Sequence, residues 1–230
     1  MKRTVIITGA AGNLGLAVVK RFTADKYNVF AVVSPGKAAD FPSMSGEVVV
    51  EADLTDETQG ESIVNTCIEK FGRVDAAILL VGGFAAGGLT KANGKAIKKM
   101  IALNFETAYY VARPAFERMK NSGTGGRIVL VGARPALNAR DGKSLIAYTL
   151  SKSMLFKLAE LMNEEGAPHQ IVTSVVVPST IDTPQNREAM PDSDFSKWVP
   201  AEEIASAISF LCSAESSALS EPVIKMYGRS

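Results

Sequence analysis

Short apolar runs recur along the chain, and each is followed by a longer stretch with helical spacing of apolar positions. The runs fall at 4–8, 29–33, 48–51, 76–81, 127–131, 172–177 and 222–226. Several, such as "TVIIT" at the start, are near-continuous Val, Ile and Leu. That composition fits parallel strands covered on both faces better than strands with one wet face. The helical stretches fall at 13–25, 57–71, 93–120, 145–165 and 201–213. Strand alternating with helix predicts an α/β protein: a doubly wound, mostly parallel seven-stranded sheet with helices on both faces. No Pro/Gly/Ser linker, low-complexity tract or repeat divides residues 1–230, so a single domain is expected.

Two segments stand out within this pattern. In the helix at 145–165, Leu150, Met154, Leu158, Leu161 and Met162 form one apolar stripe, expected to meet the core or a second subunit. Tyr148, Lys152 and Leu155 lie on another face, expected to border a cleft. Segment 184–198, "PQNREAMPDSDFSKW", is polar, proline-flanked and without a clean period. It is expected to be a loop or small helical lid, where substrate contacts often lie.

Composition narrows the function by exclusion. The chain has 230 residues, 25 Lys and Arg against 24 Asp and Glu, and a net charge of +1. Neither nucleic acid nor an acidic lipid surface is therefore an expected partner. No apolar run approaches the ~18 residues of a membrane helix. The start, "MKRTVIITGAAG", has an apolar core far shorter than the ~7–15 residues of a signal peptide. Two cysteines, Cys67 and Cys212, suit a reduced, cytoplasmic protein. The one histidine, His169, makes the usual zinc sets unavailable, so no metal is expected. "DGKS" at 141–144 is not a phosphate loop, because Leu137 stands where its first glycine should be.

The chemistry starts after the first strand. "TGAAGNLG" sets Gly9, Gly12 and Gly15 between strand and helix, with Asn13 and Leu14 in the same turn. Glycine lets the backbone approach a pyrophosphate, and the helix N-terminus supplies N–H groups and positive dipole. The second strand ends "VVSPGK", with Val33 where an acidic residue would hold the 2′-hydroxyl of NAD. With Ser34 and Lys37 nearby, NADP is favoured and NAD is the alternative. Asp53, Leu54, Gly82 and Gly83 follow the third and fourth strands, at the carboxyl ends where ligands bind in such sheets. Asp53 could meet an adenine amino group or cap the helix near Thr55. Asn104 is a polar residue in an apolar helix, either a satisfied buried amide or part of a site. Tyr148 and Lys152 are one helical turn apart, a spacing at which a cation can lower a phenol's pKa from ~10.

Together these residues resemble the short-chain dehydrogenase/reductase family, with its Rossmann-like fold. The resemblance covers the glycine turn, Asp53, Asn104, Tyr148-x-x-x-Lys152 and "PSTIDTP" at 178–184. It implies that Tyr148 is the general acid/base and that Lys152 tunes it and holds the nicotinamide ribose. It further implies that Asn104 helps hold a relay water, and that Thr183, with Pro178 and Ile181, meets the nicotinamide end. The family usually has a serine near Ala133 to polarise a substrate carbonyl. It also has "NAG" where this chain has "VGG", and its middle glycine lies one place beyond Gly12.

These departures, with "DAAILLVGGFAAGG", "GARPAL" and "STIDTPQNREAMPDSDFSKWVP", resemble the dihydropteridine reductase branch. The branch implies hydride transfer from NAD(P)H to a quinonoid, pterin-like dihydropteridine. Phe84, Ala133, Asn186 and Trp198 are then expected on the substrate side, Phe84 and Trp198 as aromatic walls or as plain packing. A reductase of another carbonyl or enone is the alternative, and a non-catalytic dinucleotide sensor is the third. The long helices at 93–120 and 145–165 imply a homodimer, with a tetramer as the alternative.

Overall fold

A computed structural model describes residues 2–42 and 47–229. β1 (Thr4–Thr8), β2 (Asn28–Val33), β3 (Glu47–Glu51), β4 (Ala76–Leu79), β5 (Gly126–Val131) and β6 (Ile171–Pro178) join β9 (Val223–Met226) in one sheet. Among the described residues its order is β3-β2-β1-β4-β5-β6-β9, and every neighbouring pair is parallel. The order reverses direction beside β1, which opens a crevice at the carboxyl ends of the strands.

The strands form where apolar residues can be buried on both sides. Ile6 joins one core layer, under α2 (Glu57–Phe71), α4 (Thr107–Ser122) and α6 (Ile146–Gly166). Val5 and Ile7 join the other, under α1 (Asn13–Ala24) and α8 (Ala201–Leu211). Helix ends follow local chemistry. The Asp56 side chain accepts from Thr58 N at the start of α2, and Gly72, with φ 77°, ends it in a left-handed turn. Asn93 likewise caps α3 (Gly94–Ile101) by accepting from Ala96 N.

Three expectations needed correction. The strand expected to reach residue 81 ends at Leu79, and Leu80 N instead donates to the Thr8 hydroxyl. The single helix expected at 93–120 is broken into α3, a π-helical turn at Ala102–Glu106 and α4. Wide turns of this kind often mark functional sites, and this one turns Asn104 fully inward. Leu155, expected to border a cleft, is instead buried in the core, while Leu150 at 51% and Leu161 at 63% exposed leave the ends of the leucine stripe outside the core. The face that α6 buries carries Ala147, Ser151, Lys152, Leu155 and Ala159.

The expected lid contains α7 (Pro184–Ala189) and a short 3-10 turn at Phe195–Lys197. It lies between the paired β7 (Ile181–Asp182) and β8 (Val199–Pro200). The small α5 (Ala139–Gly142) precedes α6. None of the described helices is long and apolar enough to cross a membrane.

Candidate active site

The glycine turn is shaped by contacts that no larger residue would allow. Gly9 has φ 64°, and its carbonyl accepts from Gly12 N at 3.0 Å. A Cβ on Gly15 would lie 2.2 Å from the Gly9 carbonyl oxygen, so helix and turn meet only through glycine. Gly12 caps α1 without a side-chain bond, and no acidic residue occupies the first turn. The N–H groups around Asn13, Leu14 and Gly15 thus face the crevice with the helix dipole uncompensated. A cavity of about 270 Å³ opens beside the turn, lined by Gly9, Val33, Ser34, Asp53, Leu54 and Val81 among others. Backbone donors next to an apolar-walled cavity fit a dinucleotide, with pyrophosphate on the turn and adenosine in the cavity.

Asp53 borders the cavity, and the cap of α2 expected of it falls to Asp56. Asp53 accepts from Thr55 Oγ1 and N at 2.6 and 3.0 Å. Those bonds, the hydroxyl's first, hold its carboxyl below the usual range. Lys37 is exposed and lies 3.8 Å from the Asp40 carboxylate. Sequence reasoning counted no carboxylate near the end of β2, but the sheet register places Glu51 directly beside Val33. Such a neighbour is invisible until strand pairing is known.

Further along the crevice, Asn104 connects three elements. Its Oδ1 accepts from Gly83 N at 2.8 Å, and its Nδ2 donates to Gly83 O and Ser151 Oγ at 3.1 and 3.0 Å. The side chain thus ties the loop after β4 to α6. Gly82 is required here, because a Cβ would lie 2.7 Å from Asn104 Oδ1 and 3.3 Å from Lys152 Nζ. Ser151, which sequence reasoning missed, also donates to the Tyr148 carbonyl at 2.8 Å.

Lys152 is buried and its Nζ donates to the Val131 carbonyl at 2.7 Å. Burial pulls its pKa from 10.5 down to about 8. Burial also pushes the Tyr148 phenol up to about 12. The expected lowering of the phenol by the lysine is thus absent from this arrangement, in which the ammonium is anchored on β5. Phe84 is 66% exposed and stands edge-on to Tyr148, with ring centres 5.2 Å apart. Its loop is pinned across the cleft, because Gly87 N donates to Ser144 O and Ile146 N donates to Gly87 O.

The remaining predicted residues separate into wall and scaffold. Ala133 is buried just after β5. Pro178 ends β6, and the Ile181 carbonyl accepts from Asn186 Nδ2 at 2.8 Å. Thr183 is buried and caps α7, accepting from Asn186 N at 3.1 Å. Asn186 thus bonds within its own segment through its backbone N and its Nδ2. Trp198 is 9% exposed and packs on Phe195 at 4.8 Å, so it anchors the lid instead of offering an open wall. Arg187 lies over the Phe195 ring and bonds both oxygens of Asp182 at 2.7 Å, a brace not foreseen from sequence.

A glycine turn at a helix start, beside a half-buried tyrosine and a buried lysine, is an arrangement suited to a nicotinamide-dependent oxidoreductase. The profile of the family described as short chain dehydrogenase matches residues 3–194. The chain belongs to the short-chain dehydrogenase/reductase family of NAD(P)-dependent oxidoreductases. It is 30% identical over 212 residues to the dihydropteridine reductase of Dictyostelium discoideum, covering 89% of this chain and 85% of that one. It is 27% identical to the 3-oxoacyl-[acyl-carrier-protein] reductase MabA of Mycobacterium tuberculosis, over 99% and 92% of the two chains. It is also 27% identical to the cyclic-di-GMP-binding biofilm dispersal mediator protein of Escherichia coli (strain K12), over 94% and 91%. Among solved structures, ElxO with NADP bound shares the fold with a TM-score of 0.91 at 24% identity, over 99% of this chain and 98% of that one.

Proposed function

We propose that the protein reduces a quinonoid dihydropterin, or a flat analogue equally poor in electrons, to the tetrahydropterin. Bound NADH or NADPH supplies the hydride. The glycine turn and the start of α1 hold the pyrophosphate, and Ser34, Asp53 and Leu54 wall the adenosine end. Thr183, Pro178 and Ile181 border the nicotinamide end, and Lys152 takes the ribose. Tyr148 gives the substrate its proton, and Asn104 keeps the loop after β4 in register with Tyr148 and Lys152.

The pairing of Phe84 with Ala133 carries this reading. An exposed ring edge-on to the proton donor offers a flat face to a flat substrate. At 133 a methyl group stands where a ketone reductase of this family uses a hydroxyl. An ordinary ketone needs such a donor on its oxygen, whereas a quinonoid pterin is already activated. The likeness to a dihydropteridine reductase supports the same substrate class.

The direct test mixes purified protein with freshly generated quinonoid dihydropterin and NADH or NADPH, following loss of reduced-nicotinamide absorbance. Turnover is expected, and Phe84→Ala should raise the substrate KM by about three- to tenfold. No oxidation with either cofactor would refute the reading. Turnover of ordinary ketones or enones in its place would assign another reductase, and cofactor binding without any turnover a sensor.

The proposal extends to assembly as a homodimer through α4 and α6. Leu150 and Leu161 are exposed on α6 and Tyr109 on α4, apolar side chains available for such a contact. Light scattering should give twice the 24.4 kDa chain mass. A tetramer would keep this face in use, and a monomer at micromolar concentration would contradict it.

A further inference from the structure

The turn after β2 already contains an anion. β2 and β3 pair so that Glu51 lies opposite Val33, the position where an acidic residue would meet the cofactor's 2′-hydroxyl. Between the strands, Lys37 N donates to Ser34 O at 3.1 Å, and Gly36 takes φ 77°. A left-handed residue in such a turn directs successive backbone N–H groups to one side, which makes a small anion nest. The Glu51 carboxylate fills it. Oε1 accepts from Ala38 N at 2.9 Å. The N–H of Gly36, followed by those of Ala38 and Lys37, holds the carboxyl below its usual range, so it is ionised at neutral pH. The first residues of this same turn, Ser34 and Pro35, line the cavity that suits the adenosine end.

We propose that Glu51 is a specificity-determining residue that makes the site prefer NADH over NADPH. The inference rests on the dinucleotide reading of the cradle. A 2′-phosphate brought to this turn meets donors already satisfied and a fixed like charge. A 2′-hydroxyl carries no charge and meets neither penalty. Lys37 is the one cation of the turn, but its side chain is 60% exposed and shared with Asp40 at 3.8 Å. Glu51 is exposed as well, but its carboxylate is fixed by backbone N–H groups, whereas the Lys37 ammonium has only a loose partner in Asp40. The glycine turn adds no cation, since Ala10 and Ala11 stand there. Two carboxylates against one lysine leave the turn negative. The expectation of NADP from Ser34 and Lys37 did not include Glu51.

The test is binding without substrate, so it does not depend on the pterin assignment. Purified protein is titrated with NADH and NADPH, following nicotinamide fluorescence. The unaltered protein should bind NADH more tightly. Glu51→Gln keeps an oxygen acceptor for Ala38 N and removes the charge. It should tighten NADPH by about tenfold, the equivalent of one modest charge interaction, with NADH changed by less than about twofold. Added salt should narrow the preference in the unaltered protein and have a smaller differential effect in the variant. Equal changes for both cofactors would make Glu51 a purely structural clamp and overturn the inference. Tighter binding of NADPH by the unaltered protein would overturn it as well. If neither cofactor binds, the dinucleotide reading fails and this inference with it.

Discussion

Tyr148→Phe should lower kcat by about 10²–10⁴-fold, the range for removing a positioned general acid, while cofactor affinity stays within a factor of about two. The phenol lies one helical turn before Lys152, edge-on to Phe84. Burial pushes its pKa up to about 12, so at neutral pH the cofactor-free protein holds it as the neutral phenol. Phenylalanine keeps the ring and its contact with Phe84 but removes the hydroxyl. Loss of rate with intact binding thus isolates the proton from the packing. Single-turnover rates and fluorescence titrations measured side by side would check it. A variant that keeps the full rate would remove Tyr148 from the reaction.

Much of this site was legible in the sequence because its parts are local. The Gly9–Gly15 turn lies directly between a strand and a helix, so its role follows from a few consecutive residues. Tyr148 and Lys152 share a face through helix spacing alone. The inner strands β1, β2, β4, β5 and β6 were legible because they are mostly buried and nearly all apolar, whereas the edge strands β3 and β9 are partly exposed. What escaped depends on pairing across the chain. Glu51 acts on the turn after β2 only because β3 pairs beside it. Asn104 is clamped by Gly83 and Ser151, residues 21 and 47 positions away.

The leucines of α6 show a different limit. Periodicity identifies an apolar stripe but not what covers it. α6 turns toward the core a face with small residues, including Ala147, Ser151 and Ala159. At Gly166 a Cβ would stand 2.6 Å from the Ile171 carbonyl, which is the close approach that such small residues permit. Leu150 and Leu161 are left outward. Likewise, an aromatic in a polar lid can be a wall or an anchor. Trp198 is buried against Phe195, a contact that the sequence pattern does not reveal.

Lys152→Met should abolish most turnover and yet stabilise the cofactor-free protein by about 2 kcal/mol at pH 7. Lys152 is buried with its ammonium on the Val131 carbonyl, and burial lowers its pKa from 10.5 to about 8. A shift of that size corresponds to about 3 kcal/mol of penalty on the charged form. Methionine has a similar length and no charge to bury, but it leaves the Val131 carbonyl without this donor, a loss of about 1 kcal/mol. The sign with pH follows from the depressed value. Below pH 8 both folded and unfolded chains hold the proton, and the full penalty applies. Between 8 and 10.5 the unfolded chain binds more protons than the folded one, so the stability of the unaltered protein rises. Above 10.5 the penalty is gone. The advantage of Lys152→Met should therefore be largest at neutral pH and shrink through that window. Denaturant unfolding of both proteins at pH 7 and pH 10 would measure it. A variant less stable by the same amount at both pH values would show that the Val131 bond dominates. The expected result would instead mean that the fold holds an ammonium at a stability cost in the cofactor-free protein, where the ribose of a bound nicotinamide nucleotide can use it.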